Sequence, residues 1–173
     1  ICGCDNVYAM AKAHELCNAY GLDTISAGAT IAWAMECFEK GLLTEKDADG
    51  FTMKFGDADK MLQCIDMMVR NEGLGKLLRL GSGNAAKIIG RGTEQLSMSV
   101  KGQEFAMHEP RSKMGLAYHF ALSPTGADHL QGERDVLVDG LVRQQPEVLE
   151  DRADLAAQVR DLPVRQPAEV LAR

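Results

Sequence analysis

Two polar turns in the sequence hold the side chains best suited to chemistry. Asp23 follows Gly21 between two apolar segments, where its carboxylate either caps the second segment as a helix or accepts hydrogen bonds from a ligand. His129 follows Asp128 in a glycine-containing loop, and a histidine that titrates near neutral pH is a natural proton carrier. Each residue also has a structural explanation: Asp23 as a helix cap, and His129 as a surface or core histidine.

A third turn, Gly81-Ser82-Gly83, precedes a helical segment. Backbone N–H groups at a helix N-terminus can bind phosphate, which is one interpretation of this turn. A plain connection between two helices is favoured, because no strand precedes the turn and no Gly-Lys-Ser/Thr string follows it. Residues 45–56 imitate an EF-hand calcium loop, but Gly56 stands where a bidentate acid is needed. We expect a solvated capping turn there.

The composition favours a mainly α protein. Of 173 residues, 46% are hydrophobic and 25% charged, which is typical of a globular chain. Aromatic residues make up only 5% of the chain, and there are nine methionines. The core must therefore rest on aliphatic side chains, which suit helices better than sheets. The net charge of −6 disfavours nucleic-acid binding, and no apolar run is long enough to predict a membrane span.

The cysteines predict free thiols. There are five, an odd number, all in the first half of the chain and without a Cys-x-x-Cys pair. Neither a disulfide framework nor a self-contained zinc or iron–sulfur motif fits that pattern. We therefore expect reduced thiols and a cytoplasmic protein. The chain opens without Met or a leader-like segment, which predicts an internal piece of a longer protein.

Apolar spacing predicts helices over residues 6–20, 24–40, 57–71, 76–80 and 84–89, then an extended stretch over 95–105. In the first helix we expect Asp5 to be the cap, and Gly21 to end the helix. Its predicted buried face consists of Val7, Met10, Ala13, Cys17 and Tyr20. We expect the chain to divide into a helical domain, 1–95, a loop-rich active-site segment, 96–132, and a polar tail, 133–173, that is helical and part of the next domain.

Two regions resemble the signature sequences of a known family. Residues 13–28 read AHELCNAYGLDTISAG. Later come VKGQE at 100–104, EPR at 109–111, GLAY at 115–118 and SPTGADHL at 123–130. In this order they resemble the tungsten-containing aldehyde:ferredoxin oxidoreductases, whose Asp-x-x-Gly-Leu-Asp segment binds a pterin. The resemblance extends to about residue 132 and implies the helical middle and C-terminal domains, without the N-terminal β-rich domain that seats the pterins.

The resemblance implies a tungsten or molybdenum ion held by two pyranopterins. It also implies a [4Fe–4S] cluster whose ligands lie outside this chain. The parent enzyme would oxidise a small aldehyde to a carboxylic acid and pass electrons to ferredoxin or another electron-transfer subunit. Because the cofactor supplies the sulfur ligands, no residue of this chain is expected to ligate the metal, and the fragment alone is expected to be inactive. A homodimer is one assembly that the resemblance allows.

By the same resemblance, Asn18, Gly21, Leu22 and Asp23 bind the cofactor, and His129 is the catalytic residue close to the metal. Asn18 stands where the family has an acid, so one charge is lost. Two alternatives remain open. The parent could act on a sugar aldehyde or an aromatic thioester, or the chain could be a free-standing acidic helical binding module that has lost the chemistry.

Overall fold

The computed structural model of the chain describes residues 1–109 and 114–127. This part of the chain is mainly α-helical, as predicted. Its α-helices are α1 (Val7–Tyr20), α2 (Thr24–Glu39), α3 (Ala58–Arg70), α4 (Gly75–Leu78), α5 (Ser82–Ile89) and α6 (Met114–Leu122). Two 3₁₀ helices, Glu45–Ala48 and Thr93–Leu96, and two short strands, β1 (Ser99–Val100) and β2 (Gln103–Glu104), complete it. No helix in these ranges has the length and apolarity needed to cross a bilayer.

Helix α2 is the centre of the fold. It is apolar on nearly all sides, as a helix surrounded by other elements must be, and Ile31 and Met35 are fully buried. It contacts α1, α3, α4, α5 and β2. The indole nitrogen of Trp33 donates a hydrogen bond to the carbonyl of Thr93 at 3.0 Å, which fixes the second 3₁₀ helix against α2. The core therefore surrounds the helix that begins beside Asp23.

Helix α1 begins one residue later than predicted, and its cap is Asn6 rather than Asp5. The Asn6 side-chain oxygen accepts the backbone N–H groups of Tyr8 and Ala9, both at 3.1 Å. Asn and Asp cap helices about equally well, so residue type alone could not choose between the two neighbours. The backbone before α1 places the Asn6 side chain within reach of these N–H groups, and that placement determines the cap.

The predicted buried face of α1 is only partly right. Ala13 and Cys17 are buried as expected, but Val7, Met10 and Tyr20 are 75%, 46% and 60% exposed. The third buried residue is Ala9. These small side chains belong to the core, on the helix that contacts α3.

Helix α3 is capped as predicted. The Asp57 carboxylate accepts the N–H of Lys60 at 3.0 Å, and Asn71 ends the helix in the left-handed conformation. Helix α4 then approaches α3 so closely that a Cβ at Gly75 would overlap the backbone of Met67. Only glycine permits this approach, so Gly75 sets the spacing of the two helices.

The predicted extended stretch, 95–105, forms a 3₁₀ turn followed by a hairpin. β1 and β2 pair antiparallel, with Val100 opposite Gln103. Lys101 and Gly102 form the two-residue connection with φ values of +52° and +83°, as in a type I′ turn. The predicted tail, 133–173, lies outside the described residues, and the division at residues 95 and 96 stays a prediction.

Candidate functional site

Asp23 is exposed at the start of α2. Its Oδ2 accepts the backbone N–H of Ser26 at 2.8 Å and so caps the helix. Its Oδ1 has no hydrogen-bond partner among the described residues, and a carboxylate oxygen can accept more than one hydrogen bond. The two interpretations of Asp23 are therefore compatible: the side chain can cap α2 and still offer an anionic acceptor to a ligand.

Gly21 and Leu22 set the backbone that presents Asp23. Gly21 ends α1 with a φ of +69°, and the N–H of Leu22 donates to the carbonyl of Cys17 at 2.8 Å. This is the Schellman arrangement, which requires a left-handed residue at the position of Gly21. The Leu22 side chain packs against the hydrophobic core. The backbone conformation of Gly21 and the packing of the Leu22 side chain therefore both hold the turn in place.

Asn18, the fourth predicted cofactor-binding residue, is exposed in the last turn of α1. Its amide nitrogen donates to the carbonyl of His14 at 2.9 Å. The side-chain oxygen has no hydrogen-bond partner within the described ranges, so it is available as an acceptor. Asn18 thus offers a ligand an oxygen, as an aspartate would, but without the charge. The turn from Asn18 to Asp23 brings together all four residues predicted to bind the cofactor.

Four of the five cysteines lie in the core, and the half-buried Cys4 packs against it. All five are free thiols. Burial, and then the nearby Asp23 carboxylate, raise the pKa of Cys17, and burial raises the pKa of Cys37 to about 11 and of Cys64 to about 12. These three thiols stay protonated near neutral pH. Across 1–109 and 114–127, no three His, Cys, Asp or Glu side chains are grouped so that they could hold a metal.

The second predicted site residue, His129, and its neighbour Asp128 lie outside the described residues. The structure does describe residues 123–127, the Ser123 turn, which lead directly into them. The N–H of Thr125 donates to the hydroxyl of Ser123 at 3.2 Å, and the two hydroxyl oxygens are 2.8 Å apart. Ser123, Gly126 and Ala127 are buried, so the chain enters the predicted His129 loop from a packed turn.

The hairpin contacts the Ser123 turn directly. The ammonium group of Lys101 donates to the carbonyl of Ser123 at 2.5 Å. A Cβ at Gly126 would collide with the carbonyl oxygen of Val100, so glycine is required where the two backbones meet. The signature strings at 100–104 and 123–130, which are separate in sequence, are therefore neighbours in the fold where the structure describes them.

Glu104, the last residue of the VKGQE string at 100–104, is a buried acid whose role the local sequence does not indicate. It is 3% exposed, and its Oε1 accepts from the Ser82 N–H at 2.7 Å, the Ser82 hydroxyl at 3.0 Å and the Thr30 hydroxyl at 3.3 Å. The N-terminus of α5 therefore receives the protein's own carboxylate, and a Cβ at Gly81 would lie 2.8 Å from it. The Gly81-Ser82-Gly83 turn is a helix-to-helix connection with an internal anion.

His119 is buried in α6, ten residues before His129. The residue is 7% exposed, and its Nε2 has no hydrogen-bond partner in the part of the chain that the structure describes. Its ring lies 6.4 Å from that of Phe120. Of the two roles expected for His119, packing or surface, this environment is that of a packing residue.

Comparison with known proteins identifies relatives of the whole described region. A family model for the aldehyde ferredoxin oxidoreductases, covering their domains 2 and 3, matches residues 1–164. The tungsten-containing aldehyde ferredoxin oxidoreductase of Pyrococcus furiosus is 32% identical over 130 residues, and that of Thermococcus kodakarensis is equally similar. Each match covers 75% of this chain and 21% of the relative. The chain thus spans about a fifth of the length of these relatives.

Two further relatives differ in name. An aliphatic sulfonate oxidoreductase, WOR-like subunit, of Pyrococcus furiosus is 32% identical over 120 residues, covering 66% of this chain and 19% of that subunit. Among solved structures, the active site complex BamBC of benzoyl coenzyme A reductase with 1,5-dienoyl-CoA superposes with a TM-score of 0.56 at 26% identity. That match covers 69% of this chain and 18% of the other. The same helical architecture therefore occurs in oxidoreductases with different names.

Proposed function

The chain belongs to the aldehyde ferredoxin oxidoreductase family, and we propose that it forms the helical part of a tungstopterin enzyme that oxidises an aldehyde to a carboxylic acid. In that reaction the aldehyde and one water become the acid, two protons and two electrons. The electrons pass through a [4Fe–4S] cluster, whose ligands lie outside this chain, to ferredoxin or another electron-transfer subunit. The names of the relatives and their 32% sequence identity to this chain support this assignment.

The observation that carries the proposal is the Asp23 Oδ1 atom, which lies at the exposed turn after α1 and has no hydrogen-bond partner among the residues that the structure describes. A pterin presents an edge of N–H donors much like that of guanine, and a carboxylate matches such an edge with charge-assisted hydrogen bonds. Asn18 adds an amide oxygen at the same turn. The donors of the cofactor and the acceptors of this turn are chemically complementary, so the residues present fit the group.

When bound, the pterin-held tungsten or molybdenum would supply the redox centre that receives the two electrons. The residues of this chain bind and orient it: Asp23 and Asn18 accept hydrogen bonds, while Gly21 and Leu22 keep the turn in place. We assign to His129 the proton that is released as the aldehyde becomes an acid, because an imidazole can exchange protons near neutral pH. That assignment derives from the family resemblance of residues 123–130.

A second candidate has the same cofactor and a different substrate, such as a sugar aldehyde or an aromatic thioester. It is supported by the sulfonate oxidoreductase subunit and the benzoyl coenzyme A reductase complex among the relatives. The third candidate, a binding module without chemistry, is supported by the loss of charge at Asn18. Against it stand the acceptor oxygens of Asn18 and Asp23, which have no other partner among the described residues.

The test is to purify the full-length parent from cells supplied with tungstate or molybdate. Metal, pterin and iron are quantified, and the reduction of ferredoxin is followed with an aldehyde as the electron donor. We expect stoichiometric metal and pterin and aldehyde-dependent reduction. Cofactor-loaded protein that acts on a thioester or a sulfonate but on no aldehyde would favour the second candidate. Protein that binds no pterin would favour the binding module.

A further inference from the structure

The hairpin of residues 99–104 connects the helical core to the Ser123 turn. On the core side, Glu104 accepts hydrogen bonds from Thr30 of α2 and from Ser82 at the start of α5. On the other side, the Lys101 ammonium donates to the carbonyl of Ser123. One short hairpin therefore joins two helices of the core to the turn that precedes His129.

Two packing contacts, one between aromatic rings and one between backbones, reinforce the connection. Phe105 follows Glu104 directly, and its ring packs edge-to-face on that of Phe120 in α6, with centroids 4.7 Å apart and an interplanar angle of 79°. Gly126 lies against the backbone of Val100. The hairpin thus contacts both α6 and the Ser123 turn, the two described elements that lead to His129.

Lys101 is an unusual residue for its place in the hairpin. It occupies the first position of the two-residue turn with a φ of +52°, where Asn and Gly are far more readily accommodated than lysine. The turn conformation alone does not explain a lysine there. The hydrogen bond from its ammonium to the carbonyl of Ser123 does, because neither Asn nor Gly has the reach to make it.

Helix α2 connects the hairpin to the other half of the candidate site. Asp23 caps the N-terminus of α2, and Thr30, the partner of Glu104, lies seven residues along, about 10 Å further on the helix axis. We propose that Lys101 is a positioning residue which, together with Glu104, holds the Ser123 turn in a fixed relation to α2. The backbone from which His129 follows is thereby fixed relative to Asp23. The role of His129 in this inference rests on the proposed function.

The test uses the full-length parent with the substitution Lys101→Asn. Asn is favoured in the left-handed conformation, so the hairpin is retained while the bond to Ser123 is lost. Lys101→Arg keeps a donor at this position. The matched control is Lys87→Gln, which changes an exposed lysine of α5 whose side chain has no hydrogen bond among the described residues.

The first readout is hydrogen exchange at the amides of the Ser123 turn. We expect exchange to be at least about tenfold faster in Lys101→Asn, because opening of the turn no longer breaks the bond to Lys101. Exchange should remain at the wild-type level in Lys87→Gln and return close to it in Lys101→Arg. Unchanged exchange in Lys101→Asn would overturn the proposal, whether or not the parent oxidises aldehydes.

The second readout is turnover of the loaded enzyme. Lys101→Asn should keep wild-type metal and pterin content and lose about 10- to 100-fold in kcat, the loss that a small misplacement of a reacting group causes. If Lys101 acts through His129, the double variant Lys101→Asn/His129→Ala should be no slower than His129→Ala alone. Additive losses, or loss of cofactor from Lys101→Asn, would overturn the positioning role. A wild-type parent without aldehyde turnover would contradict the proposed function instead, and hydrogen exchange would still decide on the Lys101 contact.

Discussion

The Oε1 atom of Glu104 lies 2.7 Å from the backbone nitrogen of Ser82, although 22 residues separate the two in sequence. The carboxylate thereby occupies the N-terminus of α5, where the exposed N–H groups and the helix dipole favour an anion. The contact fastens the hairpin to the helical core. It also explains the Gly81-Ser82 sequence, because a Cβ at Gly81 would lie 2.8 Å from the same oxygen.

Removal of this carboxylate should destabilise the protein. In Glu104→Ala, the N–H of Ser82 and the hydroxyl of Thr30 lose their acceptor in a buried site, while the hydroxyl of Ser82 keeps its contact with that of Ser97 at 3.0 Å. We expect the free energy of unfolding to fall by about 2–3 kcal/mol, the range for buried polar groups left unpaired. Urea denaturation of the chain measures this loss.

Two further variants belong to the same experiment: one keeps the side-chain volume without the charge, and the other is a control at an exposed position. Glu104→Gln retains an oxygen that can accept the Ser82 N–H, so it should lose about half as much stability as Glu104→Ala, through the missing charge at the helix terminus. Glu94→Ala changes an exposed glutamate and should remain within about 0.5 kcal/mol of wild type. Equal stability of Glu104→Ala and Glu94→Ala would show that the Glu104 contact contributes nothing.

The sequence predicts the helices of this fold better than it predicts the contacts between them. Asp57, Asn71 and Gly21 mark helix ends through local chemistry, and the structure places them there. The burial of Glu104 cannot be predicted from local sequence, because its hydrogen-bond partners are Ser82 and Thr30, 22 and 74 residues away. The exposure of Val7 and Tyr20 has the same origin: helix spacing defines a stripe, but the tertiary neighbours decide which stripe is buried.

Asp47 should make the stability of the chain depend on pH in the acid range. Its carboxylate accepts hydrogen bonds from both terminal nitrogens of Arg91, at 2.9 and 3.2 Å, and from the N–H and the hydroxyl of Thr44. The Arg91 hydrogen bonds, and then those from Thr44, lower the pKa of Asp47 from its ordinary value near 4 to about 2. Because the folded pKa lies below the unfolded one, this stabilisation is complete above about pH 4 and is lost as the pH falls toward 2.

The corresponding variant is Asp47→Asn, which cannot titrate. Its unfolding free energy should fall less steeply between about pH 4 and 2 than that of the wild type, as measured by denaturation at several pH values. Asp49→Asn is the control, because Asp49 is two residues away, forms no ion pair with Arg91 in the part of the chain that the structure describes, and occupies a left-handed position that Asn tolerates. If Asp49→Asn flattens the pH dependence as much as Asp47→Asn does, the Arg91 pair is not its source.

His129 should matter for turnover rather than for cofactor binding. If it carries the proton released during aldehyde oxidation, His129→Ala in the loaded parent should lower kcat by about 10²- to 10⁴-fold, the usual contribution of a positioned acid or base. Metal and pterin content should stay near that of the wild type. Loss of the metal from this variant would indicate a structural role instead.

The control for His129 is His119, which the structure buries in α6. His119→Leu avoids the cavity that alanine would leave and removes a ring nitrogen without a hydrogen-bond partner among the described residues. Its turnover should stay within a few-fold of wild type. Should it be as damaging as His129→Ala, the assignment of the proton carrier to His129 is wrong.

In the turn from Asn18 to Asp23, local chemistry predicts the backbone conformation but not the side-chain contacts. The cap at Asp23 and the left-handed Gly21 follow from residue type and position. The Asn18 amide nitrogen donates to the His14 carbonyl, and the side-chain oxygen has no partner within residues 1–109 and 114–127; this arrangement depends on a rotamer that the sequence does not specify. The pairing of Lys101 with Ser123 depends likewise on a hairpin docking against a turn more than 20 residues away.

The central claim, that Asp23 binds a pterin, is tested most directly by the pterin content of the purified parent with Asp23→Asn compared with Asp57→Asn. Both aspartates cap a helix through a backbone N–H three residues ahead, and Asn caps about as well as Asp, so both variants preserve the helix. Only Asp23→Asn removes a charge from the proposed cofactor contact. We predict normal pterin content in Asp57→Asn and reduced content in Asp23→Asn, through a loss of about 1.5–3 kcal/mol in charge-assisted hydrogen bonding. Wild-type content in both variants would contradict the claim and leave Asp23 a helix cap alone.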